Sequence, residues 1–359
     1  MKKIAVSLKG NRLVNFELLR ILAMFLVVVG HYIFHGLKTR DDYIYWDVSN
    51  TWGGVNYVLI ELIYIIACVA VNCYVLITGY FCINKTEFRW NGIIKTVIAT
   101  LFYSIAFLVL AWLLGKDVTP SNIMDALLPI HQEQYWFVTA YVGLMLIAPF
   151  LARLATVLNK KQYQIMLALL FVLSFEYLYG RVYAGLRSIL FFSFLFLIAG
   201  YVKLYGIPQK WKDNKGVIVL LIWFFLFGVA TLTNIVFCPQ EKFLLRSSSN
   251  DCMILFLSVA LFVYFAYTNI SNKALIMLSK ISPYVFGVYL VHDNPIFRKD
   301  LWAAVIPEHT ILPIAFHCLL IALIVFYIGM AIDFLRQQMF GIIGINNIGE
   351  RLATKLPQL

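Results

Sequence analysis

The sequence predicts an all-α polytopic membrane protein with about ten transmembrane helices and both termini in the cytoplasm. Three observations carry that expectation. Hydrophobic residues are 62% of 359, charged residues only 13%, and mean hydropathy is +0.83, more apolar surface than a water-soluble domain needs. Runs of about 20 apolar residues, enough to cross a bilayer, recur along the chain. Lys and Arg collect on alternate loops.

Ten stretches meet or approach the spanning length: 13–34, 55–80, 93–114, 135–152, 163–179, 186–203, 216–237, 252–269, 280–297 and 311–335. The fourth, fifth and ninth are short or interrupted, with Pro149 in the fourth and Pro283 and Pro295 in the ninth. All are expected to be helices, because the hydrocarbon core offers no water to satisfy backbone groups. The period-two pattern of a membrane β-barrel is absent. The first stretch carries Glu17 and Arg20 and lacks a clear small-residue cleavage site, so it is expected to stay as a helix rather than act as a signal peptide. The loop 116–134 should hold a short helix started by Thr119 and Pro120. The tail 340–356 is weakly amphipathic and is expected on the inner leaflet. No repeat, phosphate loop or His/Cys metal spacing interrupts this pattern, so residues 1–359 read as one integral membrane domain with no metal.

The net charge of +11 orients the chain. With the N-terminus inside, 19 of the 29 Lys and Arg residues fall on cytoplasmic loops, 9 fall outside and Arg20 lies within a span. The partner implied is the bilayer, not nucleic acid. A bacterial cytoplasmic membrane, crossed many times, is the expected location.

Arg20 and His31 share one face of the first span. Eleven residues correspond to about 20° of rotation and about 16 Å of rise. Glu17, three residues before Arg20, lies within about 60° of that face. One stripe of one helix thus carries an acid, a guanidinium and an imidazole across most of the membrane. An ion pair at a helix start with an interfacial histidine would explain the same residues without function, but intramembrane ionisable groups usually face a cavity or pathway.

Four stretches resemble the acyltransferase-3 family of bacterial integral membrane acyltransferases. Arg20, ten residues and then His31 appear in "ELLRILAMFLVVVGHY" (17–32). "YWFVTAYVGLMLIAPFL" (135–151) and "ISPYVFGVYLVHDNP" (281–295) resemble its fourth and ninth spans. "NCYVLITGYF" (72–81) resembles its second, with Tyr74 and Thr78 where the family usually has Phe and Ser. The basic pair often found around the family's third span is here Arg89 and Lys95, six apart, a departure from the family's pattern. The resemblance implies transfer of an acyl group, usually acetyl from cytosolic acetyl-CoA, to a hydroxyl of a surface polysaccharide or its lipid-linked precursor. With no fused hydrolase-like domain in 359 residues, it implies the stand-alone type. Acetyl-CoA enters as co-substrate, and no permanently bound cofactor is implied.

The expected roles follow from that chemistry. Arg20 and Glu17 line the inner half of a donor channel. His31 is the base at its outer end, since an imidazole with pKa near 6.5 accepts a proton around neutrality. His31 could equally carry the acyl group itself, and the residues leave both routes open. Glu61, about six residues from the outer end of the second span, comes near the depth of His31 and is the expected orienting partner. Glu176 and the pair His292 and Asp293 compete for that place. His292 is also expected as a polar group at the acceptor mouth, with Tyr135 and Trp136 stacking on a sugar face. Asn72 and Thr78 would reach the donor's carbonyls or simply pack helices. Cys238 and Cys252 bracket a 13-residue outer loop that a disulfide would close. Cys68, Cys73 and Cys318 are expected to pack within spans. A carrier or flippase for a lipid-linked sugar or anion is the rival class, favoured by ten spans with an intramembrane Arg but not by the companion stretches.

Overall fold

The computed structural model describes residues 7–8, 12–37, 51–174, 184–237, 252–306 and 313–358. Ser7–Leu8 and Arg12–Leu13 pair as a two-stranded antiparallel ribbon, and every other element is helical. In chain order the helices are α1 (Val14–His31), α2 (Thr51–Ala67), α3 (Ala70–Cys82), α4 (Trp90–Leu113), α5 (Pro120–Leu127) and α6 (Trp136–Val157). There follow α7 (Lys160–Ser174), α8 (Ala184–Tyr205), α9 (Gln209–Asp213), α10 (Lys215–Phe237) and α11 (Cys252–Ala266). The last are α12 (Lys273–Leu278), α13 (Val285–His292), α14 (Arg298–Val305), α15 (Ile314–Ile343) and α16 (Ile345–Lys355).

Each of the ten expected stretches overlaps helix among the described residues. Among the described residues, seven helical runs are long and apolar enough to cross a membrane, the longest being Ile314–Ile343. Lys215–Val229 and Ile254–Ala266 are apolar but shorter, and α7 has 15 described residues.

The prolines act differently from one another. Pro149 sits inside α6 without ending it. Its missing N–H deprives one carbonyl of a partner, a loss that membrane helices tolerate where neighbours cover the site, and Pro149 is buried. Pro283 does interrupt: α12 passes into a 3₁₀ segment, Ser279–Tyr284, before α13 resumes and stops at His292, ahead of Pro295. The expected short helix after Lys116 is α5. Thr119 accepts from the Asn122 backbone, the Asn122 side chain answers the Thr119 backbone, and Pro120 takes the first helical position. Gly344, at φ +80°, ends α15 in a left-handed turn that favours glycine.

The chain divides into two compact units. One comprises 1–74, 207–289 and 299–328; the other comprises 75–206, 290–298 and 329–359. In the first unit α1 is the core, packed on α2, α11, α12 and the 3₁₀ segment, with Phe16, Leu19, Val28 and Val29 fully buried. Asn15 Nδ2 donates to the Phe265 carbonyl at 2.7 Å, tying the start of α1 to α11. The second unit packs α6 on α8 and α4, α7 on α8, and α16 on α4. There Gly79 lets helices touch backbone to backbone: a Cβ in its place would stand 2.3 Å from the Phe196 carbonyl oxygen.

Asp333 of α15 anchors the second unit electrostatically. Only 1% exposed, it accepts from the Tyr103 hydroxyl at 2.9 Å, Arg336 Nε at 2.7 Å and Gln337 Nε2 at 2.8 Å. Asp333→Ala leaves Arg336 without its counter-charge over the Phe340 ring. The expected loss is about 3–5 kcal/mol, read as a lowered melting temperature in detergent, whereas Asp333→Asn should lose less. An Asp333→Ala protein melting with the wild type would show that the network contributes no net stability.

Candidate active site

Glu17 falls in the first turn of α1, where the helix dipole favours an acid, and Arg20 follows one turn on. Arg20 Nη1 and Glu17 Oε1 form an ion pair, and Ser282 Oγ of the 3₁₀ segment donates to Glu17 Oε2. The Glu17 side chain is 3% exposed and the Arg20 side chain 30%. The carboxylate is closed in by its two partners, while the Arg20 side chain is only part-buried. A guanidinium carries five N–H donors in a fixed fork, the chemistry that suits an oxygen-bearing ligand. The Tyr74 hydroxyl donates to the Arg20 carbonyl at 2.8 Å, fixing α3 to this turn.

At the other end of the stripe α1 runs into a π-helical turn, Tyr32–Gly36. Such turns shift the side-chain register and occur often at functional positions. His31 and His35 are both half-buried, with ring centroids 5.0 Å apart in an edge-on contact, and the Tyr289 ring lies 6.3 Å from that of His31. Tyr32 points elsewhere: its hydroxyl is 2.7 Å from His317 Nδ1, and its ring meets Trp302 edge-on. His35 lies four residues beyond His31, whereas nothing in the sequence singles out His317. The contact between Tyr32 and His317, 285 residues apart, becomes visible only in the fold.

Glu61 is buried, 1% exposed, on α2. Two contacts set the antiparallel register of α1 against the second span: a Cβ on Gly30 would lie 3.6 Å from Ala67 Cβ, and Arg20 meets Tyr74. Counting back six residues from Ala67 brings Glu61 level with the π-helical turn, about 7 Å beyond His31 along the axis. His35 thus stands nearer the depth of Glu61 than His31 does. Asn72, fully buried, donates to Ser258 Oγ at 3.0 Å and so links α3 to α11.

In the second unit Tyr135 is 1% exposed. Its hydroxyl donates to the Leu290 carbonyl at 3.0 Å and accepts from Asn294 Nδ2 at 2.8 Å. A buried ring committed in this way braces the end of α13, whereas Trp136 beside it is 40% exposed and open to contact. His292 is 1% exposed, and the neighbouring Asp293 pairs with Arg298 at 3.1 Å. Thr78 and the Tyr141 hydroxyl are 3.1 Å apart. Arg89 and Lys95 line a groove of about 570 Å³ with Phe88, Trp90, Glu350 and Thr354, where the Phe88 and Trp90 rings stack at 4.8 Å. Glu176, Cys238 and the Cys252 side chain lie outside the described residues, so the proposed bridge does too. Cys68, Cys73, Cys82 and Cys318 are in no disulfide.

The quoted stretches turn out to be one another's partners. The first meets the ninth at Glu17–Ser282 and the second at Arg20–Tyr74; the second meets the fourth at Thr78–Tyr141; the fourth meets the ninth at Tyr135–Asn294. Seven described helical runs long and apolar enough to cross a membrane, with such a polar stripe on the first of them, define an integral membrane protein built around a chemically equipped helix. Residues 13–332 match the acyltransferase-3 family, described as an acyltransferase domain, and the chain belongs to that family. No curated protein and no solved structure matches it.

Proposed function

We propose that this multi-pass acyltransferase moves an acetyl group from cytosolic acetyl-CoA to a hydroxyl of a cell-surface polysaccharide or its lipid-linked precursor. The bacterial cytoplasmic membrane, with both termini inside, is its proposed setting. The observation that carries the reading is the α1 stripe: a part-buried Arg20 and a half-buried His31 about 16 Å apart along one face. A donor whose nucleotide stays in the cytoplasm must reach an external hydroxyl through the bilayer, and the stripe covers about half of the roughly 30 Å hydrocarbon core.

In the proposed reaction neutral His31 accepts the acceptor's hydroxyl proton as its oxygen attacks the thioester carbonyl. The C–O bond forms, the C–S bond breaks, and the proton passes to the departing thiolate of CoA. In the other route a His31 ring nitrogen attacks the thioester: the C–N bond forms, the C–S bond breaks and CoA leaves as the thiol with the imidazole proton. The acceptor hydroxyl then attacks the acyl carbon, the C–N bond breaks and the hydroxyl proton returns to the imidazole. Arg20, oriented by Glu17 and Ser282, would hold a donor oxygen. Trp136 and His292 are proposed to face the acceptor, and Glu61 to act at the depth of His35.

Inverted membrane vesicles given labelled acetyl-CoA and a panel of glycan acceptors test the proposal. Label should appear on a glycan and depend on the protein. Acceptor transport without labelling would replace the enzyme by a carrier.

A further inference from the structure

Helix α16 carries three neighbouring arcs of different chemistry. At about 100° per residue, Gly349 and Ala353 form one arc, Ile345, Ile348, Leu352 and Leu356 the next, and Arg351 and Lys355 the one beyond. The first arc faces α4: Gly349 is buried, and a Cβ there would lie 3.5 Å from Ile94 Cγ2. The contact is fastened by Lys95–Glu350 at 3.3 Å and by Trp90 Nε1 donating to the Pro357 carbonyl at 2.7 Å. The apolar arc is left outside, with Ile348 53%, Leu352 48% and Leu356 37% exposed. Both basic residues are exposed along its edge.

Something apolar bounded by negative charge must meet that surface. The chain names it by continuity. Helix α15 is long and apolar enough to cross a membrane, Ile342 and Ile343 at its end are exposed, and the left-handed turn at Gly344 leads straight into α16. We infer that α16 lies in the interface of an anionic lipid leaflet, with Ile348, Leu352 and Leu356 in the acyl boundary and Arg351 and Lys355 on the headgroups. Its opposite side supplies Glu350, Ala353 and Thr354 to the groove beside Arg89, so the leaflet holds one wall of that groove in place. The inference rests on the chain spanning a membrane and is independent of the acyl donor or acceptor.

The full-length protein carrying the photo-crosslinker benzoylphenylalanine at Ile348, Leu352, Asn347 or Thr354, reconstituted into phosphatidylcholine vesicles with or without phosphatidylglycerol, tests it. Lipid adducts should be several-fold more abundant at 348 and 352 than at 347 and 354, and enriched in phosphatidylglycerol. Arg351→Glu with Lys355→Glu should remove the enrichment. Equal labelling of both faces, no preference for the anionic lipid, or adducts to a second copy of the chain at 348 and 352 would each overturn it. Should the bulky probe disturb α16, amide exchange over 345–355 in the unmodified protein gives a second reading. Protection should rise with phosphatidylglycerol, and exchange indifferent to the lipid would overturn the inference as well.

Discussion

His31→Ala should lower acyl transfer by about 10²–10⁴-fold, the range expected when a positioned acid–base group is removed. Insertion should be unaffected, because the cytoplasmic basic residues that set topology remain. Packing should suffer modestly, since the ring is only half-buried. His31→Gln restores hydrogen bonding without a titratable nitrogen and should be as inactive as the alanine variant. Initial rates with labelled donor in vesicles, beside melting in detergent, separate chemistry from folding. Normal transfer by a folded His31→Ala protein would remove the basis of the proposed mechanism.

The stripe itself was legible because it is local. Glu17, Arg20 and His31 lie within one helix, where periodicity alone fixes their common face. What holds them was not legible. Ser282 reaches Glu17 across 265 residues and Tyr74 reaches Arg20 across 54, separations that no pattern reports. The helices followed hydropathy closely, and α5 followed its Thr119–Pro120 start signal. Helix α14, with Arg298, Lys299 and Asp300 in its first turn, sits where the charge pattern suggested only a loop. Tyr135 shows the same limit within a site. An aromatic at a span end can stack on a ligand or anchor at the interface, but the fold instead buries its hydroxyl against Leu290 and Asn294. The π-helical turn after His31 changes the register of His35, and nothing in Tyr32–Gly36 announces it.

Arg20→Ala should bring transfer to background and also cost stability. It leaves the Glu17 carboxylate, 3% exposed, with the Ser282 hydroxyl as its described partner. The expected cost is about 3 kcal/mol, the low end for a broken buried pair because Arg20 itself is partly solvated. Stability and catalysis can then be separated. Arg20→Ala combined with Glu17→Gln removes both charges and should recover most of the lost melting temperature, a coupling that a double-mutant cycle measures. Transfer should stay at background in that double variant, because the donor-facing guanidinium is still missing. Arg20→Lys should keep the pair and the fold yet transfer poorly, since an ammonium cannot make a forked contact to a donor oxygen and Glu17 together. If the double variant regained transfer along with stability, Arg20 would be a partner for Glu17 and nothing more. If the lysine variant were fully active, the site would need a positive charge there but no fork. Background transfer in a double variant that melts like the wild type assigns Arg20 to the reaction path rather than to the scaffold.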